Sequence, residues 1–153
     1  MDTKIKVQGS RCRARRELIV AVDTNGAIGA SGDLGFNCPE DMAFFKEYTM
    51  GKVLWCGRAT YPTVAGLVGR DVRQLKRGCK ASGLDTFPEG CYIGGGAVYA
   101  SVINHVDRAV VTYLNTEIED ADTFFPRVFL VGFSEATIVR KGKWGMIVVY
   151  DRS

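Results

Sequence analysis

Residues Leu18–Lys46 have the sequence LIVAVDTNGAIGASGDLGFNCPEDMAFFK, and this segment gives the strongest indication of the fold. It opens with a purely apolar run, Leu18–Val22, which is typical of a strand covered on both faces. Four glycines then interrupt the chain and predict a loop that can bend. Pro39 is a favourable first residue of a helix, with Asn37 or Cys38 as the expected cap. We therefore expect a strand, a loop and a helix, in that order.

A carboxylate lies in the first turn of the predicted helix. Asp41 and Phe45 are four residues apart, so they share one face of that helix. A lone acid at the end of an apolar stripe can orient a flat, nitrogen-rich ring, because a carboxylate accepts two hydrogen bonds from an aminopyrimidine edge. Such an acid can also help to protonate the ring. The alternative is that Asp41, like its neighbour Glu40, only complements the helix dipole. Both interpretations stay open on the residues alone.

Length and charge limit the classes of protein to consider. The chain has 153 residues, which is the length of one domain. Residues 1–16 are polar and basic, so we expect an N-terminal extension followed by a single domain over residues 17–153. The net charge of +3 gives little support for nucleic-acid binding. The apolar run Leu18–Val22 is much shorter than the ~20 residues of a membrane span, and we expect no membrane contact.

Cysteine and histidine content bears on metal binding and on the compartment. The chain has five cysteines and no C-x-x-C pair, which indicates reduced thiols in the cytoplasm. It has one histidine, His105. Neither a Cys/His zinc site nor a serine–histidine triad is therefore expected, and we expect no bound metal.

Strand and helix patterns alternate along the rest of the chain. Strands are predicted over 52–56, 90–93 and 108–114, with 128–131 as a further candidate. Helices are predicted over 39–49, 58–64, 71–81 and 97–104. Residues 134–140 and 146–150 flank a loop at 141–145 and predict a C-terminal β-hairpin.

This order of elements predicts an α/β fold. The central sheet should be mostly parallel, with an antiparallel C-terminal hairpin and helices on both faces. Such sheets bind ligands at the carboxyl ends of their strands. Asp41, Arg58 and the turn Gly94–Gly96 all fall just after predicted strands, so we expect the site at that edge of the sheet.

Four segments in this order resemble the dihydrofolate reductase family. They are Leu18–Lys46, Gly57–Tyr61 (GRATY), Tyr92–Tyr99 (YIGGGAVY) and Asp122–Pro126 (DTFFP). The resemblance runs from about Leu18 to Pro126 and more loosely to the C-terminus. It implies a dihydrofolate reductase-like fold and NADPH-dependent reduction of 7,8-dihydrofolate to tetrahydrofolate, a step of one-carbon metabolism. It also implies a monomeric, cytoplasmic enzyme that antifolate inhibitors can bind.

The resemblance further implies roles for individual residues. The implied catalytic residues are Asp41, Phe36 and Leu34. The implied substrate-binding residues are Val20, Ala21, Met42, Phe45, Lys46, Val64, Arg70, Ile93 and Thr112. The implied cofactor-binding residues are Ala21, Ile28, Gly29, Gly57, Arg58, Thr60, Gly94, Gly95, Gly96, Ala97, Val98 and Tyr99. Among them Arg70 would bind the glutamate carboxylate of the substrate, Thr112 would support the acid, and Arg58 would pair with the 2′-phosphate of NADPH.

Three features depart from the family pattern. Phe36 stands where the family usually has a tryptophan, and it has no N–H to hold an ordered water. Residues 71–90 are too few for the strand and helix that the family places there. Ala97 replaces a basic residue that often follows the three glycines. The 2′-phosphate then rests on Arg58 alone or on Arg73, Lys76 or Arg77.

These departures leave other functions open. One is a non-catalytic scaffold that binds folate or a nucleotide. Another is a pyrimidine reductase of flavin synthesis on a similar fold, against which the Pro-x-Asp turn at Asp41 argues. A third is an anion- or nucleic-acid-binding module that uses the N-terminal arginines and the basic helix predicted around Arg73–Lys80.

Overall fold

The structure of the protein, a computed structural model, describes residues 16–29, 38–75, 87–125 and 132–152. These ranges hold nine strands and three helices. The strands are β1 (Arg16–Val22), β2 (Ala27–Gly29), β3 (Val53–Cys56), β4 (Asp71–Gln74), β5 (Gly90–Tyr92), β6 (Arg108–Leu114), β7 (Thr123–Phe124), β8 (Glu135–Gly142) and β9 (Gly145–Asp151). The helices are α1 (Pro39–Thr49), α2 (Tyr61–Val64) and α3 (Gly96–Val102).

Seven strands form one mixed sheet in the order β4-β3-β5-β1-β6-β9-β8. The first five are parallel to one another. β9 runs antiparallel to β6, and β8 runs antiparallel to β9. β2 and β7 form a separate antiparallel pair. The predicted mostly parallel sheet with an antiparallel C-terminal hairpin is confirmed.

β1 lies inside the sheet, between β5 and β6, and its side chains alternate between two cores. Leu18, Val20 and Val22 belong to a cluster that includes residues of α3, here called the α3-face core. Ile19 belongs to a second cluster with Phe44 of α1, here called the α1-face core. Both sides of the strand are therefore buried, which explains its uninterrupted apolar sequence. Helices lie on both faces, as predicted.

Helix α1 begins at Pro39, as predicted, and Cys38 is its N-cap. The Cys38 side chain makes no capping hydrogen bond, and the alternative cap, Asn37, lies outside the described residues. The helix ends at Thr49, whose buried hydroxyl donates to the carbonyl of Phe45 at 2.6 Å. Glu40 and Asp41 are the acidic residues of the first turn.

The predicted basic helix over residues 71–81 is wrong at its start, because residues 71–74 form strand β4. β4 pairs in parallel with β3 at the edge of the sheet. The spacing of three between Val72 and Leu75 suits one helix face, but Val72 packs against the α1-face core and Leu75 against the α3-face core. Residues an odd number apart on an extended chain point to opposite faces. Residues 71–90 thus contain a strand, while residues 76–86 lie outside the described part, so the expectation that this segment is too short for a strand plus a helix stays a prediction.

Other elements also differ from the predictions. The helix predicted over 58–64 is shortened to Tyr61–Val64, after a turn at 58–60. β2 was not predicted, because it has only three residues and pairs with a strand about a hundred residues later. In the C-terminal hairpin, the turn contains only Lys143 and Trp144, so β8 and β9 are longer than predicted. The strand proposed at 128–131 lies outside the described residues.

Candidate active site

The acid singled out from the sequence is held by a residue of the central sheet. Asp41 is half-buried, and its Oδ1 accepts a hydrogen bond of 2.6 Å from the Thr112 hydroxyl. Thr112 is buried on β6, two residues after Val110 of the α1-face core, so it shares that face. Burial raises the pKa of Asp41 above its ordinary value, and the hydrogen bond from Thr112 opposes this rise only in part.

Other predicted substrate residues lie on the same face of the sheet. Ala21 pairs with Thr112 in the register of β1 and β6 and, two residues after Ile19, points towards α1. Phe45 and Ile93 are half-buried and pack against the α1-face core. The structure thus places an acid, an aromatic ring and aliphatic side chains along the carboxyl ends of β5, β1 and β6.

The remaining predicted substrate residues are more dispersed. Val20 packs into the α3-face core, so only its backbone is available on the α1 side. Met42 is 61% exposed on α1, and Lys46 is also exposed. Val64 and Arg70 are half-buried, and the Arg70 Nε donates to the carbonyl of Val68 at 3.0 Å. The loop before Arg70 is bonded to the chain just after α1, because the N–H of Gly51 donates a hydrogen bond of 2.8 Å to the carbonyl of Gly69.

The two predicted cofactor turns lie side by side. The N–H of Gly57 donates to the carbonyl of Gly94 at 2.8 Å. A methyl group on Gly95 would lie 3.4 Å from the Thr60 hydroxyl oxygen, so these residues face each other. The peptide bond between Gly94 and Gly95 is cis. The structure therefore brings together the segments that the sequence analysis assigned separately to one cofactor.

The side chains around these turns differ in exposure. Arg58 is exposed, and the half-buried Thr60 makes no capping hydrogen bond to α2. On α3, Ala97 is exposed and Val98 is half-buried. Val98 also approaches the other turn, since a methyl group on Gly57 would lie 3.1 Å from its Cγ2. Arg58 and Thr60 thus offer a cation and a hydroxyl next to the glycines.

The β2–β7 pair closes one side of the glycine turn. A methyl group on Gly96 would lie 2.6 Å from the Thr123 Cγ2 of β7 and 3.7 Å from the Ile28 Cδ1 of β2. Ile28 is buried in the α3-face core, and Gly29 ends β2. Gly96 therefore has no room for a side chain.

Tyr99, a predicted cofactor-binding residue, lies in the core behind the glycine turn. Its ring is buried in the α3-face core, and its hydroxyl donates to the carbonyl of Ile19 on β1 at 2.7 Å. It therefore joins α3 to the central strand beside the glycine turn. The Ile19 carbonyl was missed by the sequence analysis, because a backbone acceptor has no signature in side-chain patterns. Leu34 and Phe36, two predicted catalytic residues, lie outside the described residues.

Several known proteins of one family are similar to this chain. A family model described as dihydrofolate reductase matches residues 16–72. A dihydrofolate reductase of Mycobacterium tuberculosis is 39% identical over 110 residues, which cover 62% of this chain and 68% of the relative. The type 3 dihydrofolate reductase of Salmonella typhimurium is 30% identical over 134 residues, which cover 77% of this chain and 82% of the relative. The chain belongs to the dihydrofolate reductase family.

A solved structure supports the fold of this family member. The dihydrofolate reductase of Enterococcus faecalis, complexed with NADP(H) and RAB-propyl, matches 90% of this chain and 96% of its own. The TM-score is 0.71 at 24% sequence identity, and at that identity the likeness concerns the fold alone. The resemblance stated from the sequence motifs is confirmed by these comparisons.

In residues 16–29, 38–75, 87–125 and 132–152, no group of three or more histidine, cysteine, aspartate or glutamate side chains is placed to hold a metal ion. None of the helices in these ranges is long and apolar enough to cross a membrane.

Proposed function

We propose that this chain catalyses the NADPH-dependent reduction of 7,8-dihydrofolate to tetrahydrofolate. The observation that carries the proposal is the half-buried Asp41, bonded to Thr112 on the face of the sheet where Phe45 and Ile93 pack against the α1-face core. Family membership supports the same reaction.

Asp41 orients the substrate. Its carboxylate has two oxygens, and the hydrogen bond from Thr112 occupies one lone pair of Oδ1. The remaining acceptor capacity suits the adjacent N–H groups of an aminopyrimidine edge, which form a bidentate pair with a carboxylate. Phe45 and Ile93 supply apolar contacts to the two faces of a flat pteridine ring.

Asp41 also favours protonation of the substrate. Hydride addition to a C=N bond places an electron pair on the nitrogen, which must accept a proton. An acid whose pKa is raised by burial holds a proton more readily near neutral pH than an exposed aspartate does. The Thr112 hydroxyl holds the carboxylate in one orientation.

The residues of the two glycine-containing turns fit a dinucleotide. Thr60 offers a hydroxyl that is not used as a helix cap, and Arg58 offers an exposed guanidinium for a phosphate. Gly95 has no side chain to block access to the backbone between them. NADPH, when bound, supplies the hydride. Arg58 and Thr60 would hold its phosphates, and the chain between Gly94 and Gly96 would line its path.

Further parts of the proposal concern the substrate tail and inhibitors. Arg70 and Lys46, both predicted from the sequence, would bind the glutamate carboxylates of the folate tail. Aminopyrimidine antifolates would compete with dihydrofolate for Asp41, because they present the same hydrogen-bonding edge.

The proposed enzyme acts as a monomer in the cytoplasm. Cys38, Cys56 and Cys91 are free cysteines, as expected in a reducing compartment. Burial raises the pKa of the Cys56 thiol to about 11, which keeps this thiol protonated and unreactive. Residues 1–16 as an extension, and 17–153 as one domain, stay predictions.

The test is an assay of NADPH oxidation by absorbance, with dihydrofolate and NADPH each omitted in turn. We expect oxidation only when both are present, and a folate product two mass units heavier than the substrate. NADPH binding without oxidation would contradict the enzymatic proposal and favour the scaffold alternative. A protein that neither bound nor oxidised NADPH would contradict both the enzymatic proposal and the scaffold alternative.

A further inference from the structure

Asp23 is a buried carboxylate that the proposed reaction does not use. It follows β1 directly and is only 3% exposed. No ion pair among the described residues includes it. Burial alone would raise its pKa, but three backbone hydrogen bonds outweigh this effect and lower the pKa below its ordinary value. The side chain is therefore an ionised group that is stabilised by backbone N–H groups instead of a cation.

The two oxygens of Asp23 bind different parts of the chain. Oδ1 accepts from the N–H groups of Asn25 and Ala27, both at 2.8 Å, which closes a local turn. Oδ2 accepts from the N–H of Ile118, also at 2.8 Å and 95 positions along the chain. The local turn uses only Oδ1 as an acceptor. The second oxygen links residues 23–29 to the segment that follows β6.

Backbone hydrogen bonds also join the segment after β1 to the segment after β6, towards the glycine turn. The N–H of Thr24 donates to the carbonyl of Thr116 at 3.0 Å, and the N–H of Phe125 donates to the carbonyl of Gly26 at 2.9 Å. Beyond these bonds, β2 pairs with β7. The pair then meets the glycine turn, because Thr123 of β7 leaves Gly96 no room for a side chain and Ile28 of β2 lies beside it at van der Waals distance.

We propose that Asp23 is a positioning residue for the cofactor, because it fastens the β2 segment to the chain that leads into β7 and so places Ile28 and Thr123 against Gly96. This inference rests on the proposed function, since it concerns the binding of NADPH. Asp23 acts on the cofactor only through these other residues. It lies outside the Asp41–Thr112 pair, so its loss should weaken cofactor binding more than dihydrofolate binding.

The substitution Asp23→Asn tests the role of the charge with little change in shape. The asparagine side chain has one oxygen and one NH₂ group in place of two oxygens. At one of the two positions, an NH₂ donor would therefore face a backbone N–H, which needs an acceptor. Asp23→Ser separates the two functions of the side chain. A serine hydroxyl can still accept from the N–H of Asn25 in a local turn, but it is too short to reach Ile118 as well.

The first readout is the dissociation constant of NADPH, measured by calorimetry under conditions in which each variant is folded by circular dichroism. We expect both variants to raise this constant by about tenfold or more, as for loss of a buried hydrogen-bonded link. The dissociation constant of dihydrofolate should change by less than about twofold. The matched control is Asp151→Asn, which alters another buried acid, bonded to Arg108 and far along the sheet, and should leave NADPH binding unchanged.

The second readout is amide hydrogen exchange without any ligand. In Asp23→Asn and Asp23→Ser, exchange should accelerate in residues 24–28 and 116–125 together, and stay unchanged in β8 and β9. Unchanged exchange in 116–125, wild-type NADPH affinity in either variant, or an equal loss of affinity in Asp151→Asn would each overturn the inference. If the wild-type protein bound no NADPH, the proposed function itself would fail. The exchange experiment needs no ligand, so it still tests separately whether Asp23 links the two segments.

Discussion

The Thr112 hydroxyl donates a 2.6 Å hydrogen bond to the Oδ1 of Asp41, although the two residues are 71 positions apart. Asp41 comes from the first turn of α1, and Thr112 comes from β6 of the central sheet. Burial raises the pKa of Asp41, and this bond counteracts the rise. The pair therefore sets both the direction and the proton affinity of the acid.

We predict that Thr112→Val moves the acid-dependent limb of the kcat/KM profile to higher pH. The hydroxyl stabilises the charged carboxylate, so its removal raises the pKa of Asp41 further. Valine has nearly the same shape as threonine but no donor. Thr112→Ser keeps the hydroxyl and is the matched control. Coincident profiles of Thr112→Val and wild type would show that the bond does not tune the acid.

We predict that Asp41→Asn stabilises the folded protein at pH 7 by about 0.5–2 kcal/mol. The folded pKa of Asp41 lies above the ordinary value of 3.8, so the stability contributed by its protonated form is lost as pH rises through the folded pKa. Asparagine removes this loss and still accepts the bond from Thr112. Urea unfolding at several pH values measures the effect, and the advantage of the variant should shrink as pH falls towards 3.8.

Asp23→Asn should have the opposite sign in the same experiment. The pKa of Asp23 is lowered by folding, so its contribution to stability is present at neutral pH and disappears as pH falls through the folded pKa. We expect a loss of about 1–3 kcal/mol at pH 7, because a buried N–H group loses its acceptor. Equal changes in Asp23→Asn and Asp41→Asn would refute the different environments assigned to the two acids.

Much of this architecture follows from local sequence patterns. The apolar run of β1, the proline at the start of α1 and the β-branched run of β6 each specify an element within a few residues. The association of Asp41 with Thr112 was expected only from the family resemblance. The structure supplies the geometry, because a helix residue and a strand residue meet only after the sheet has formed.

Other features depend on distant pairing and could not be predicted. Val72 and Leu75 have a spacing that suits a helix, and only the pairing of β4 with β3 makes them extended. The β2–β7 pair has too few residues to produce a period. Asp23 is followed by Asn25 and Gly26, which indicate a turn. Nothing near Asp23 in the sequence indicates the bond to Ile118.

We predict that Gly96→Ala weakens NADPH binding and destabilises the fold by about 1–3 kcal/mol. Its methyl group would lie 2.6 Å from the Thr123 Cγ2, so β7 or the start of α3 must move. Gly66→Ala is the matched control, because a methyl group on Gly66 has no neighbour within 4 Å. Calorimetric titration and thermal unfolding of both variants test this. Similar NADPH affinities in the two would contradict the close packing at Gly96.

We predict that Asp151→Asn costs about 3–5 kcal/mol of stability, because it removes the negative charge that is bonded to the buried guanidinium of Arg108. The Nε of Arg108 lies 2.7 Å from the Oδ1 of Asp151, and both side chains are less than 10% exposed. Asp71→Asn breaks a pair of similar length, 2.6 Å from Arg73, but that pair is exposed and the change should have little effect. Equal stability losses in urea unfolding would contradict the role of burial.

The role of Asp41 is tested by kcat/KM for dihydrofolate, measured for Asp41→Asn and for Glu40→Gln side by side. Both acids lie in the first turn of α1, but Glu40 is exposed. We predict that Asp41→Asn lowers kcat/KM by about 10² or more, and that Glu40→Gln stays within about twofold of wild type. Equal activities of the two variants would contradict the assignment of Asp41 as the acid that orients and protonates the substrate.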